Sequence, residues 1–260
     1  MLPMFTIDIN CDMGEGVGND ERIMPFISSA NIACGYHAGD DETMKHTIDL
    51  AIQHNVAIGA HPSFFDKKNF GRSEMRLSVA EIYDLVFLQL RTIDKFIKEK
   101  KARLCHVKPH GALYNMSAAD PTIAKAIAQA VKDFDDELIL FGLSGSQSIA
   151  QAEMLSLKAA NEVFADRTYK DDATLTPRTE SNPMIEDVNK SVQQVLKMIK
   201  EKVVLSVNNK RVPIIGDTIC IHGDGKHAVE FARAIYQALK DEHIQVKPVS
   251  TGSSFGNEDG

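Results

Sequence analysis

A chain of 260 residues with 43% hydrophobic and 25% charged residues has the make-up of a soluble globular protein. It is long enough for one large core, which suits a single α/β barrel or open α/β sheet better than two unrelated domains. The formal net charge of −7 argues against nucleic acid or an anionic membrane as the main partner, since both reward a basic face.

Apolar strand-like runs alternate with amphipathic helical patterns along the chain, which predicts a mainly parallel sheet covered by helices. Seven strands are expected: Thr6 to Cys11, Asn31 to Gly35, Ala57 to Ala60, Leu104 to Lys108, Leu138 to Gly142, Asn161 to Ala165 and Thr218 to His222. That number points to a single α/β domain, a seven-stranded and therefore incomplete TIM-like β/α barrel over residues 1–260. A doubly wound open sheet is the second choice. Helices are expected at Asp41 to His54, Val79 to Lys100, Pro121 to Lys132, Ile185 to Glu201 and Lys226 to Asp241; Ser78 and Glu81 form a capping-box pattern ahead of the second. VLSVNNKRVPI, at about residues 203–215, reads as an inserted hairpin turning at Asn208-Asn209. The polar stretch Arg167 to Met184 has the length of a lid or binding loop, and residues 250–260 look like a solvated tail. No apolar run reaches the length of a membrane-spanning helix and the start lacks a basic region, so a cytoplasmic location is expected. Cys11, Cys34, Cys105 and Cys220 stand far apart and read as small buried thiols.

Polar groups recur where these strands end, and strand ends are where the pocket of a β/α barrel assembles. In TIDINCD, Ile7, Ile9 and Cys11 share one face while Asp8, Asn10 and Asp12 share the other. In a barrel the second set would point inward, where unpaired carboxylates would each cost several kcal/mol. They should therefore meet a cation, a donor network or a ligand. CHVKPHG places His106, Lys108 and His110 on one face, with His110 nearest the strand end. His37 in GYHAGD, His61 in GAHPS, and His222 with Asp224 in IHGDG complete the set, while Asp40 is as well explained as a helix cap. No P-loop or GxGxxG follows a strand, and GLSGS at Gly142 to Ser146 lacks the second glycine of a nucleophile elbow. His and Asp could form a water-activating divalent-metal site, but no spacing demands one, and no metal ligand is assigned.

The strings DINCDMGEG, ANIACGYHAGD, GAHPSF, FGR, VKPHGALYN, EVFADRTY and IHGDG, in order from Ile7 to the last helix, resemble the successive signatures of the LamB/YcsF family, which supplies the A subunit of bacterial 5-oxoprolinase. The resemblance implies an incomplete barrel of the glycoside hydrolase/deacetylase type. It also implies ATP-dependent opening of 5-oxo-L-proline (pyroglutamate) to L-glutamate, Mg2+ accompanying the nucleotide, and two partner subunits, B and C. Around the pocket it implies Asp8, Asn10, Asp12, Glu15, His37, His61, Lys108, His110, Asp166, Arg167, His222 and Asp224. One departure lies in the long loop, where the family pattern has a glycine after the acidic pair and this chain has Ala173. The chemistry of such a reaction calls for Asp12 or Asp8 as base, His110 or His61 as acid, and Lys108 with Arg167 as an anion clamp. The alternatives are a metal-dependent deacetylase or amidohydrolase acting alone on a carbohydrate or small amide, and a non-catalytic subunit that presents substrate.

Overall fold

Among the described residues ten strands form from the β-branched and apolar runs of the chain, and seven of them build the centre of the molecule. The computed structural model describes residues 5–223, 225 and 227–250; Asp224 and residues 251–260, which include all but the first of the expected tail, lie outside them. The strands are β1 (Thr6–Met13), β2 (Ser29–Ala33), β3 (Ala57–His61), β4 (Leu104–Val107), β5 (Ile139–Leu143), β6 (Ala159–Phe164), β7 (Val203–Leu205), β8 (Arg211–Pro213), β9 (Thr218–Ile221) and β10 (Gln245–Val246). Strands β1 to β6 lie side by side in chain order, all parallel, and β9 follows β6. β9 then pairs back onto β1, from Asp8 opposite Thr218 to Cys11 opposite Ile221. That last pairing closes the sheet into a seven-stranded barrel and excludes the open sheet. β7 and β8 pair antiparallel as a hairpin before β9, and β10 extends the ladder beside Thr6 and Ile7.

The helices are α1 (Asp20–Ile23), α2 (Asp41–Gln53), α3 (Val79–Glu99), α4 (Gly111–Ala119), α5 (Pro121–Phe134), α6 (Gln147–Met154), α7 (Val188–Glu201) and α8 (Ala228–Asp241). Local chemistry sets their starts. Asp40 accepts from Thr43 N at the head of α2, Ser78 and Glu81 close a reciprocal capping box on α3, and Asp120 caps α5. The helix expected from Ile185 begins three residues later because the Asp187 side chain accepts from Lys190 N. α4 and α6 have no counterpart among the expected helices; α4 starts directly after His110, in a stretch whose sequence signal is its polar residues.

Because both faces of each barrel strand are buried, alternation decides what each face meets. Ile7, Ile9 and Cys11 belong to the apolar shell shared with the helices, together with Ile82, Val86, Leu90 and Ile93 of α3. The opposite set fills the barrel. One position is fitted by having no side chain: a Cβ on Gly59 of β3 would lie 2.0 Å from His106 Nε2. The His106 ring occupies that space, stacked on Phe141 at 4.3 Å with its Nε2 on Asn31 Oδ1 at 2.9 Å. Gly59→Ala is therefore expected to destabilise the fold by about 3 kcal/mol or more, the upper range for forced overpacking. The urea midpoint measures it, and an unchanged midpoint would mean that His106 moves freely.

The stretch from Arg167 to Met184 is tied down along its length. Tyr169 is fully buried, its hydroxyl accepting from Phe164 N at 2.7 Å, and it bridges to Leu175 and Ser206. Ala173 sits there at φ +65, a left-handed backbone that an alanine adopts at a cost of roughly 1 kcal/mol and a glycine does not.

Candidate functional site

The barrel interior is a stacked set of polar layers, each supplied by alternate residues of different strands. The floor is Asp8: Oδ1 accepts from Ser28 and Ser29 hydroxyls at 2.6 and 2.8 Å, and Oδ2 from Thr218 at 2.5 Å. Burial outweighs these bonds and raises its carboxyl to about 6. Asp8 stands four residues before Asp12, about 13 Å along the strand, away from the strand ends where chemistry was expected. At about pH 4 to 6 the folded protein retains a proton that the unfolded chain has released. Asp8 therefore contributes stability at low pH that is lost as pH rises through about 6. Relative to the native protein, Asp8→Asn should gain stability from pH 4 to pH 7 in denaturant titrations. A difference that stays flat would show that Asp8 does not titrate in that window.

Above the floor, Asn10 Nδ2 donates to Thr218, and Asn31 Nδ2 donates to both Asn10 Oδ1 and Asp12 Oδ1. Lys108 then reaches across the barrel. Its Nζ lies 2.8 Å from Asp12 Oδ1, 2.9 Å from Glu162 Oε1, 3.1 Å from Cys220 Sγ and 3.3 Å from Asn10 Oδ1. Four neighbours share three protons. The Glu162 contact is a charge pair without hydrogen-bond angles, since neither Glu162 oxygen has a hydrogen-bond partner. Burial works against the ammonium, but Asp12, Cys220 and Glu162 outweigh it and hold Lys108 charged. Burial likewise raises the Asp12 carboxyl, yet His61 and then Lys108 outweigh it, and Asp12 stays well below the usual carboxylate range. Lys108 thus fastens a carboxylate pair; it is not held open for an incoming anion.

The mouth is where β1, β2, β3 and β4 end. There Asp12 Oδ2 lies 3.4 Å from His61 Nε2, and His61 Nε2 lies 2.9 Å from His110 Nδ1. His110 Nδ1 is 3.5 Å from Glu15 Oε1, which in turn is 3.1 Å from His37 Nε2. The far side of each ring is also held. His61 Nδ1 faces the Lys108 carbonyl at 2.6 Å, His110 Nε2 the Phe70 carbonyl at 2.9 Å, and His37 Nδ1 the Ser63 hydroxyl at 2.9 Å. His37 and His110 stack in parallel at 3.8 Å. Burial lowers both rings, His110 to about 3, so both are neutral near pH 7. Gly71, at φ +66, lets the loop pass over them; a Cβ there would lie 2.8 Å from each. The ligating atoms of Glu15, His37, His61 and His110 all lie within 4.8 Å of one another.

On the β6–β9 side, His222 Nδ1 sits 2.9 Å from Asp166 Oδ2, and its ring stacks on Phe164 at 5.5 Å. Burial pushes the Asp166 carboxyl up, but His222 outweighs it and holds the group below the usual range. A second group of ligating atoms within 4.8 Å of one another comprises Asp12, Cys220 and His222. This brings Asp12, Glu15, His37, His61, Lys108, His110, Asp166 and His222 to one end of the barrel, with Asn10 beneath them. Arg167 turns away into the loop, where its Nε donates to Pro183 O and its Nη2 to Thr176 O. Asp224 lies outside the described residues.

Several participants are absent from the set expected on sequence. Asn31, Glu162 and Cys220 are inward groups of β2, β6 and β9, and the alternation applied to β1 and β4 would have found them. Gln89 is fully buried inside the apolar stripe of α3, where its amide brackets the backbone N–H and carbonyl of Ser63. A polar residue in the middle of an apolar helix face was the available signal.

The model of the LamB/YcsF family matches residues 7–254. Proteins named as the A subunit of 5-oxoprolinase, from Bacillus thuringiensis subsp. konkukian (strain 97-27) and Bacillus cereus (strain 03BB102), are each 49% identical over 249 residues, 94% of this chain and 98% of theirs. A crystal structure of lactam utilization protein from Thermus thermophilus is 38% identical with a TM-score of 0.89, over 94% of this chain and 100% of that one. A family 4 carbohydrate esterase from Streptomyces lividans in complex with acetate has a TM-score of 0.53 at 10% identity, over 95% of this chain and 94% of the esterase. That is a likeness of fold alone, and it gives the deacetylase alternative no support in chemistry.

Proposed function

The chain belongs to the LamB/YcsF family, and from that membership we propose that it opens the lactam ring of 5-oxo-L-proline to L-glutamate, as the A subunit of an ATP-hydrolysing 5-oxoprolinase. Near full-length identity of 49% to proteins so named carries the reading. The B and C subunits complete the enzyme, ATP enters with Mg2+, and the assembly works in the cytoplasm. Among the described residues no helix is long and apolar enough to cross a membrane.

A five-membered lactam is an unactivated amide. Phosphorylation of its oxygen makes the carbon electrophilic; water then forms a C–O bond, the C–N bond breaks, and its electron pair leaves on nitrogen, which takes a proton. The γ-glutamyl phosphate so formed reacts with a second water to give glutamate and phosphate. This chain has no phosphate loop of its own, so the phosphoryl donor is assigned to the assembled enzyme.

We assign the remaining tasks at the mouth. Asp12 aims the attacking water through Oδ2, its Oδ1 being taken by Lys108 and Asn31; a carboxylate held so low is a weak base, so orientation comes first. His222, with Nδ1 held by Asp166, is the acid for the departing nitrogen in preference to His61 or His110, whose outer N–H groups serve backbone carbonyls. The His61–His110 junction lines the pocket beside Asp12, with Glu15 and His37 as its supports. Lys108 and Asn31 hold Asp12 in place, Asn10 braces Asn31 from below, Asp8 forms the floor, and Arg167 holds the loop.

Reconstitution tests the proposal. Glutamate release and 5-oxoproline-dependent ATP hydrolysis should appear only when this chain is combined with the B and C proteins. Turnover by B and C without it, or by this chain alone without ATP, would overturn the reading.

A further inference from the structure

Hydrogen accounting at the mouth leaves one atom pair unexplained. A carbonyl only accepts, so the Lys108 carbonyl 2.6 Å from His61 Nδ1 places a hydrogen on that nitrogen. The Phe70 carbonyl, 2.9 Å from His110 Nε2, does the same there. The remaining nitrogens, His61 Nε2 and His110 Nδ1, are the atoms that face each other at 2.9 Å. Two ring nitrogens at that distance hold either a shared hydrogen or a cation that lies against both.

The surroundings say what it is. Glu15 Oε1 lies 3.5 Å from His110 Nδ1, and Asp12 Oδ2 lies 3.4 Å from His61 Nε2. Donor atoms bound to one ion at about 2.0–2.2 Å stand about 2.8–3.6 Å apart in octahedral or tetrahedral coordination, and the 2.9 Å between His61 Nε2 and His110 Nδ1 and the 3.5 Å between His110 Nδ1 and Glu15 Oε1 fall at those edges. The outer contacts fit as well. A ligating histidine characteristically gives its other N–H to a carbonyl or carboxylate, and both rings do so. His37 stands behind Glu15, with Nε2 3.1 Å from Oε1, and its ring lies parallel to His110 at 3.8 Å.

We propose that the barrel mouth is a binding site for one divalent transition-metal ion of the zinc type, held by His61 Nε2, His110 Nδ1 and Glu15, with Asp12 beside it and His37 as the outer support of Glu15. Two imidazoles and one carboxylate suit zinc, cobalt, manganese or ferrous iron rather than calcium or magnesium. Three protein ligands leave coordination positions for water or a substrate oxygen. The site rests on the ring-opening proposal and deepens it by placing at the His61–His110 junction the positive charge that a developing oxyanion needs, and its test needs neither lactam nor ATP.

Untagged full-length chain, stripped with chelator and dialysed, is titrated with Co2+ and with Zn2+, followed by visible absorption for cobalt and elemental analysis for both. One equivalent per chain is expected, with the visible bands of a nitrogen- and oxygen-ligated cobalt. His61→Gln and His110→Gln should each weaken binding by more than the roughly 100-fold that outer-shell changes reach. His46→Gln, on the exposed face of α2, and His222→Gln should leave it intact, with circular dichroism checking the fold throughout. No stoichiometric uptake by the folded native chain would overturn the proposal and place a shared proton between the rings. Uptake indifferent to His61→Gln and His110→Gln, or abolished by His222→Gln, would overturn it too. Loss of ring opening with metal binding intact would count against the proposed function alone.

Discussion

Asp12→Asn is expected to lower ring opening by the reconstituted three-subunit enzyme by about 10²- to 10⁴-fold, the range that a positioned acid or base supplies. The substitution is nearly isosteric. The amide oxygen can still accept from Lys108 and Asn31, which now meet Asp12 Oδ1 at 2.8 and 2.9 Å. What disappears is the negative charge of Oδ2 beside His61 Nε2, and with it the group that aims water at the lactam carbon. Because the loss concerns the reacting water, kcat should fall while KM for 5-oxoproline moves little. Glutamate release measures the effect, with circular dichroism as the control on folding. Near-normal turnover would remove Asp12 from the reaction and leave it as a packing group of the barrel.

Lys108→Met should cost about 3–5 kcal/mol of stability, the usual result of deleting one partner of a buried charge pair. The Lys108 side chain is 3% exposed, and its ammonium stands between Asp12 and Glu162. Without it, two buried carboxylates share the interior with no fixed cation, and at least one must take up a proton. The penalty should therefore shrink as pH falls and both carboxylates can be neutralised. The double variant Lys108→Met/Glu162→Gln should recover a substantial part of the loss, because it removes one of the stranded charges. Urea unfolding of the four proteins in the cycle measures this. A single-variant loss below about 1 kcal/mol would mean that water already solvates the two carboxylates.

The legible part of the fold lies in its periods. Each of the seven expected barrel strands is present, because parallel strands buried on both faces are apolar runs that stand out between helical stretches. Closure is another matter, since the pairing of Asp8 through Cys11 with Thr218 through Ile221 joins segments more than 200 residues apart and leaves no local trace. The short helices α4 and α6 are hard to see in the sequence because polar and small residues dominate the signal of their stretches.

The site divides along the same line. Alternation in TIDINCD and CHVKPHG puts Asp12 and Lys108 inside any barrel, but not against each other. Their pairing depends on β1 and β4 facing across the interior. It shows that Lys108 fastens Asp12 and Glu162, where chemistry alone makes it an anion clamp. Arg167 gives no local sign that it turns into its own loop, and Asp8 gives none that it lies on the floor, because depth along a strand becomes meaningful only when neighbouring strands set the rim. Residue order along the chain thus dictates which groups are buried and on which face, through local geometry of period two and 3.6. Which ring nitrogen faces which, and where positive charge gathers, follows from contacts between strands far apart in the chain, since each hydrogen bond is a relation between two atoms whose distance no local pattern encodes.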